Sequence, residues 1–256
     1  MRLEQHLREQ RDRGRKLLVP YVTGGLGAEW LDVVRAVVDA GADSVEIGIP
    51  FSDPVMDGPT IQAASQQALA LGATPAKILG DAAQLEVGVP LVVMTYVNPV
   101  HHAGYERFAH ELAHAGIDGA ILPDLPLGEL DGWGDAADAA GVETVLLAAP
   151  LTPDDRLHAI TERTRGFLYG VSLLGVTGER DALAAQAGDM GRRAKAVTDT
   201  PVLLGVGIST PDQAVMAAGF ADGVVVGSAL MRRVLDGDGP EGAGAFTAEL
   251  RKALDG

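Results

Sequence analysis

Three times along this chain a helix-like stretch ends on alanine and glycine and passes, through one more residue and an acid, into an apolar run. The linkers are Ala40-Gly41-Ala42-Asp43, Ala115-Gly116-Ile117-Asp118 and Ala140-Gly141-Val142-Glu143, with Gly219 to Asp222 as a looser fourth copy. Glycine stops a helix because it enters the left-handed conformation without steric cost. The repeated hand-over from helix to strand therefore marks a chain built from strand–helix units, and such units fold into parallel sheets covered by helices. Between the linkers the periodicity agrees. Trp30, Val33, Val34, Val37 and Val38 recur at helical spacing over 28–40, whereas Leu17 to Thr23 and Ser44 to Ile49 are short, largely apolar runs bounded by glycine or proline.

Read in this way, the chain opens with a polar helix over 2–13 carrying Leu3 and Leu7 on one face. Strands follow at 17–23, 44–49, 91–96, 119–122, 143–148, 167–171, 202–205 and 223–226. Helices are predicted at 28–40, 60–71, 75–86, 105–115, 127–140, 154–163, 181–198, 210–218, 228–235 and 242–254, with a glycine-bearing loop at 174–179. Eight such units in 256 residues, with no break in composition, predict a single domain over 1–256: a (β/α)8 TIM barrel with an extra N-terminal helix. A doubly wound open sheet is the alternative. In a barrel the strand C-termini and the loops after them build the site.

Composition removes several classes of function. The formal charge of −15 argues against binding nucleic acid by bulk attraction, although backbone N–H groups can still hold a small phosphate. No apolar run reaches the ~18 residues of a membrane span, and the charged stretch from Met1 to Lys16 does not read as a secretory signal. The chain has no cysteine, which excludes disulfide and thiol chemistry and fits a cytoplasmic location.

The stretch richest in chemistry is Val45 to Gln62, V-E-I-G-I-P-F-S-D-P-V-M-D-G-P-T-I-Q. Alternation along the strand puts Ser44, Glu46 and Gly48 on one face and Val45 and Ile47 on the other, so Glu46 lies inside an apolar strand, where a charge is costly unless paired or used. Asp57 follows on a loop stiffened by Pro54 and Pro59. One carboxylate on a rigid strand and a second on a loop make a plausible acid/base pair; a buried ion-pair member beside turn aspartates is the competing reading. Gly175-Val176-Thr177-Gly178, Gly205-Val206-Gly207 and Gly227-Ser228 close three consecutive strands, and together they predict a phosphate site made of backbone N–H groups and a helix N-terminus. His110-Glu111-Leu112-Ala113-His114 matches the zinc-protease pattern, but Tyr105, Phe108 and Leu112 give that helix an ordinary core face and no third ligand presents itself, so no metal is expected. His101-His102 reads as a solvated loop pair.

These residues resemble the α subunit family of tryptophan synthase. E-I-G-I-P-F-S-D-P-V-M-D-G-P-T-I-Q at 46–62 matches that family's signature nearly residue for residue. V-P-Y-V-T at 19–23, Y-V-N-P at 96–99, L-P-D-L-P at 122–126, G-V-T-G at 175–178, G-V-G-I-S at 205–209 and G-S at 227–228 fall in the family's order. The likeness covers essentially the whole chain. It departs at Val171-Ser172-Leu173-Leu174 and at Gly24-Gly25-Leu26-Gly27, both on loops above the expected site.

The resemblance implies retro-aldol cleavage of indole-3-glycerol phosphate to indole and glyceraldehyde 3-phosphate in tryptophan biosynthesis, with a stand-alone indole-3-glycerol-phosphate lyase as the alternative. It implies Glu46 as the acid/base and Asp57 as the partner of the indole N–H. It further implies Tyr21, Ile61, Met94, Tyr96, Ile121, Tyr169 and Thr177 around the substrate, and Gly178, Gly207, Gly227 and Ser228 around the phosphate. No cofactor is implied for this chain. The implied partner is a β subunit that carries pyridoxal phosphate, in an α2β2 complex.

Overall fold

A computed structural model describes residues 2–171 and 180–256. Eight parallel strands, β1 Leu17–Thr23, β2 Val45–Gly48, β3 Leu91–Met94, β4 Gly119–Ile121, β5 Glu143–Ala148, β6 Leu168–Val171, β7 Val202–Gly205 and β8 Gly223–Val226, close into a barrel in sequence order. The open sheet is thereby excluded: β1 pairs with β8 through Leu17↔Gly223 to Pro20↔Val226. Outside lie α1 Leu3–Asp12, α2 Trp30–Asp39, α3 Pro59–Ala70, α4 Pro75–Ala82, α5 Val97–Ala103, α6 Tyr105–His114, α7 Asp131–Ala140, α8 Asp154–Arg163, α9 Arg180–Lys195, α10 Pro211–Ala218, α11 Ser228–Leu235 and α12 Gly239–Asp255. No helix among the described residues is long and apolar enough to cross a membrane.

Strand alternation divides the core into two shells. Leu17 and Val19, Val92, Ile121, Val145, Phe167, Leu203 and Val225 point inward. Leu18 and Val22, Val45 and Ile47, and Leu204 point outward into the layer shared with the helices. Leu3 and Leu7 of α1 plug the N-terminal end of the inner shell. A Cβ on Gly119 would stand 2.8 Å from the Leu3 side chain, so glycine there makes room for the plug. Glu143 fastens α1 in place by accepting the Glu4 backbone N–H at 2.7 Å.

Three of the four linkers, those ending in Asp43, Asp118 and Asp222, have a common physical purpose. Asp43 accepts the Leu18 N–H at 2.8 Å and donates its own N–H to the Leu18 carbonyl at 2.9 Å. Asp118 does the same to Leu91, at 3.2 and 2.8 Å, and Asp222 to Val202, at 2.8 and 2.9 Å. Each aspartate closes the lower end of the neighbouring strand, where the ladder would otherwise leave backbone groups unpaired.

Two expectations need correction. The stretch after β3 is a helix, α5, rather than a loop, and His101 and His102 lie exposed on it. Its first N–H, that of Val97, is accepted at 2.9 Å by Asp124 from beyond β4. The helix predicted over 127–140 is divided: a 3-10 turn at Leu127–Glu129 precedes α7. Gly128, Gly132 and Gly134 weaken a continuous helix there.

Candidate active site

The C-terminal end of the barrel opens on a cavity of about 180 Å³. Glu46 enters its wall from the middle of β2, where it is 1% exposed. Its Oε2 is buried without a hydrogen-bond partner. Burial, and next the charge of Asp57, push its carboxyl up to about 8. A carboxylic acid of that strength exchanges its proton near neutrality, as a general acid/base must.

Asp57 reaches the same cavity from the loop after β2. Two contacts place it. The Met56 N–H donates to the Tyr96 hydroxyl at 2.9 Å, and the Tyr96 hydroxyl hydrogen-bonds the Asp57 carboxylate. The Asp57 carbonyl in turn accepts from the Gln62 amide at 2.7 Å, tying the loop to α3. Burial raises the Asp57 carboxyl, and the Tyr96 bond opposes that rise. Phe51 packs against the Tyr96 ring with centroids 5.3 Å apart, so both ends of the loop lean on one tyrosine.

Tyr21, Ile61, Met94 and Tyr169 line the cavity. Tyr96 stands behind Asp57 and is absent from the wall. Ile121 is fully buried in the inner shell and takes no part in the wall either. Met56, Gly58, Pro123, Leu147, Val171, Gly205, Ile208 and Val225, none of them assigned to the substrate pocket from sequence, complete it. Alternation could have found Leu147 and Val225, which share the inward face with Val145 and Gly223; nothing local marks Met56 or Pro123.

Gly207, Gly227 and Ser228, from the ends of β7 and β8, line the same cavity. Ser228 begins α11; the Gly227 carbonyl takes the Leu230 and Met231 N–H groups at 3.0 and 2.9 Å, which leaves those of Ser228 and Ala229 for a ligand. Gly207 has φ +76, a left-handed conformation that glycine adopts freely. Gly205 serves packing instead: a Cβ there would lie 2.4 Å from the Tyr169 ring. Thr177 and Gly178, with Ser172 to Leu174, lie outside the described residues. No lysine, arginine or histidine is among the described residues lining the cavity, so an anion bound here meets backbone N–H groups and the α11 dipole rather than a cationic side chain.

The histidines of the zinc-like motif are far from this chemistry in kind. His110, Glu111 and His114 are exposed on α6 and line a shallow groove against α4. Among the described residues no group of three or more His, Cys, Asp or Glu could hold a metal ion.

Comparison with known proteins gives one family. The family profile described as "Tryptophan synthase alpha chain" matches residues 7–252. A tryptophan synthase alpha chain of Streptomyces coelicolor is 46% identical over 267 aligned positions, covering 99% of this chain and 97% of that one. Another, from Thermobifida fusca, is 44% identical, covering 91% and 89%. Among solved structures, tryptophan synthase from M. tuberculosis superposes with a TM-score of 0.90 at 36% identity, covering 99% of this chain and 98% of that chain. The alpha subunit from Legionella pneumophila superposes with 0.90 at 35%, with the same coverage.

Proposed function

The chain belongs to the tryptophan synthase alpha chain family, and from that premise we propose how its barrel mouth works. The protein is a carbon–carbon lyase of tryptophan biosynthesis that cleaves indole-3-glycerol phosphate into indole and glyceraldehyde 3-phosphate. In our reading residues 1–256 act as one domain, and Glu46 and Asp57 divide the chemistry. The indole ring leaves as a poor carbanion unless its C3 is protonated first. Glu46 delivers that proton. The resulting positive charge spreads to the ring nitrogen, where Asp57 accepts the N–H and stabilises it. The adjoining carbinol O–H then gives its proton to the Glu46 carboxylate, its electrons form the aldehyde carbonyl, and the C–C pair returns to the ring. One proton has moved from oxygen to carbon, and Glu46 ends as it began.

A single observation carries this reading. Two carboxylates with raised affinity for protons line one cavity together with the start of α11 and Gly207. Tyr21, Ile61, Met94 and Tyr169 would hold the indole ring, and Gly207, Gly227 and Ser228 the phosphate. Tyr96 would act through Asp57; Thr177 and Gly178 would close the site from the loop after β6. The reading is tested by incubating the chain with indole-3-glycerol phosphate and following indole. Equal amounts of indole and glyceraldehyde 3-phosphate are expected, and Asp57→Asn should lower turnover on the order of 10²-fold with a smaller change in KM. A defect confined to KM would leave Asp57 as a positioning residue.

The partner in our reading is a β subunit carrying pyridoxal phosphate, in an α2β2 complex. Val55 on the Asp57 loop is 73% exposed, and a docked partner would bury it and steady the loop. A matching β subunit should raise turnover at least ~10-fold, about 1.4 kcal/mol of barrier. A stand-alone lyase has its own support, because both carboxylates already line one cavity in the chain by itself. Flat turnover across a β-subunit titration, with complex formation demonstrated, would favour that second reading.

A further inference from the structure

In the mechanism above Glu46 passes through its ionised form in every turnover. A buried carboxylate needs a hydrogen-bond donor at that moment, or its desolvation falls on the barrier. The described groups facing it are few. Asp57 approaches from the loop after β2, Tyr21 from β1 and Tyr169 from β6, while β3 presents Met94, β5 Leu147 and β8 Val225, all apolar. Ionised Asp57 is no donor, and the Ser228 hydroxyl stands at the start of α11 with the glycines of the proposed phosphate site, so the two phenols are the candidate donors.

Geometry separates them. Tyr21 is the β1 residue paired directly with Glu46. Its ring crosses onto β2: a Cβ built on Gly48 would lie 1.9 Å from the Tyr21 hydroxyl oxygen and 2.3 Å from its Cζ. Gly48 stands two residues after Glu46 and therefore on the same face of the strand. The hydroxyl thus fills the place where a side chain at position 48 would be, on the same face of β2 as Glu46. Tyr169 also feels the charge of Glu46, but it comes from β6, which does not pair with β2, and its ring lies over Gly205 of β7.

We propose that the Tyr21 hydroxyl donates a hydrogen bond to the Glu46 carboxylate during turnover, so that Tyr21 is a positioning residue for the base form of Glu46 and not merely an apolar wall for the indole. The proposal rests on the acid/base role given to Glu46. Burial, with the charges of Asp57 and Glu46 adding to it and the Thr23 hydroxyl opposing, pushes the phenol well above its ordinary range. It therefore keeps its proton and remains a donor. The strand pair explains the glycine: any side chain at position 48 would displace the hydroxyl from the site.

The test is Tyr21→Phe, which keeps the ring over Gly48 and removes only the donor. Two pH series are read on the wild type and the variant: kcat with KM, and the Glu46 carboxyl by 13C NMR in the ligand-free chain, with Glu46→Gln identifying the resonance. The expected result is a Glu46 titration moved up by roughly one pH unit, turnover near neutrality down about tenfold, and KM nearly unchanged, as loss of one hydrogen bond to a charge predicts. A thermal melt close to wild type shows that the fold has not changed. Superimposable titrations of wild type and Tyr21→Phe would overturn the proposal, whatever the rate does. If instead Glu46→Gln keeps wild-type turnover, the parent reading of Glu46 fails, and that outcome is distinct.

Discussion

Asp43 and Glu46 are three residues apart, the first just before β2 and the second within it, and both are buried carboxyls, 3% and 1% exposed. They are treated in opposite ways. Asp43 accepts from Arg15 Nε at 2.6 Å, Arg251 Nη1 at 3.2 Å and the Leu18 N–H at 2.8 Å. Burial still raises its carboxyl, but the Leu18 N–H and the two arginines oppose the rise. Among the described residues Glu46 has no cation near it; it has an unpartnered oxygen and a second carboxylate as its charged neighbour. At the N-terminal end of the barrel, burial has been offset by ion pairs, and the result is a clamp joining β1, β2 and α12. At the C-terminal end burial has been left uncompensated, and the result is a proton carrier. These two neighbours in sequence show that a buried acid becomes structural or reactive through its partners rather than through its burial.

The contrast can be broken first at the clamp. Asp43→Ala removes the partner of a nearly buried arginine, so it should cost about 3–5 kcal/mol of stability by urea unfolding, with little loss of turnover per folded molecule. A cost below about 1 kcal/mol would mean that the clamp is decorative.

The next largest effect is in the pH dependence of stability. Glu46 holds its proton up to about 8 in the folded chain, whereas an unfolded glutamate releases it near the ordinary value of 4.5. Between those values the folded state binds the extra proton. The stabilisation is full below about 4.5 and is lost as pH rises through 8. Glu46→Gln should remove this slope, so the variant should gain on the wild type by on the order of 3 kcal/mol between pH 5 and pH 8. Parallel stability curves for the two proteins would show that Glu46 is not held protonated.

Third is turnover in the same variant. Glu46→Gln should lose at least ~10²-fold, about 2.7 kcal/mol of barrier, with KM little changed. Near wild-type turnover would make the upper carboxyl as structural as the lower one. The smallest effect is a null. Because His110, Glu111 and His114 lie exposed on α6 away from the cavity, a chelator should leave indole release unchanged. Loss of activity on chelation, restored by zinc, would contradict the whole division of roles.

Much of this was legible in the residues themselves, and for a local reason. Strand alternation and helical spacing are periodicities of the backbone, so all eight strands are visible in the pattern of apolar residues, as is the inward orientation of Glu46. The glycine stops of the Ala-Gly-x-acid linkers are also local, although the strand ends that Asp43, Asp118 and Asp222 close lie 20 to 27 residues earlier in the chain. Glu46 and Asp57 stood out because carboxyls are out of place in an apolar strand and on a proline-stiffened loop. What tertiary structure alone decided depends on contacts between residues remote in sequence. α5 exists where a loop was expected because Asp124, 27 residues away, accepts the Val97 N–H that the helix itself cannot satisfy. Ile121 points inward yet sits below the cavity because closure of the barrel, not strand pattern, fixes the height of each inward side chain. Gly205 is a glycine for Tyr169, and Gly48 for Tyr21. A sequence records that position 48 has no side chain; only the closed barrel brings the hydroxyl of another strand into the space left free.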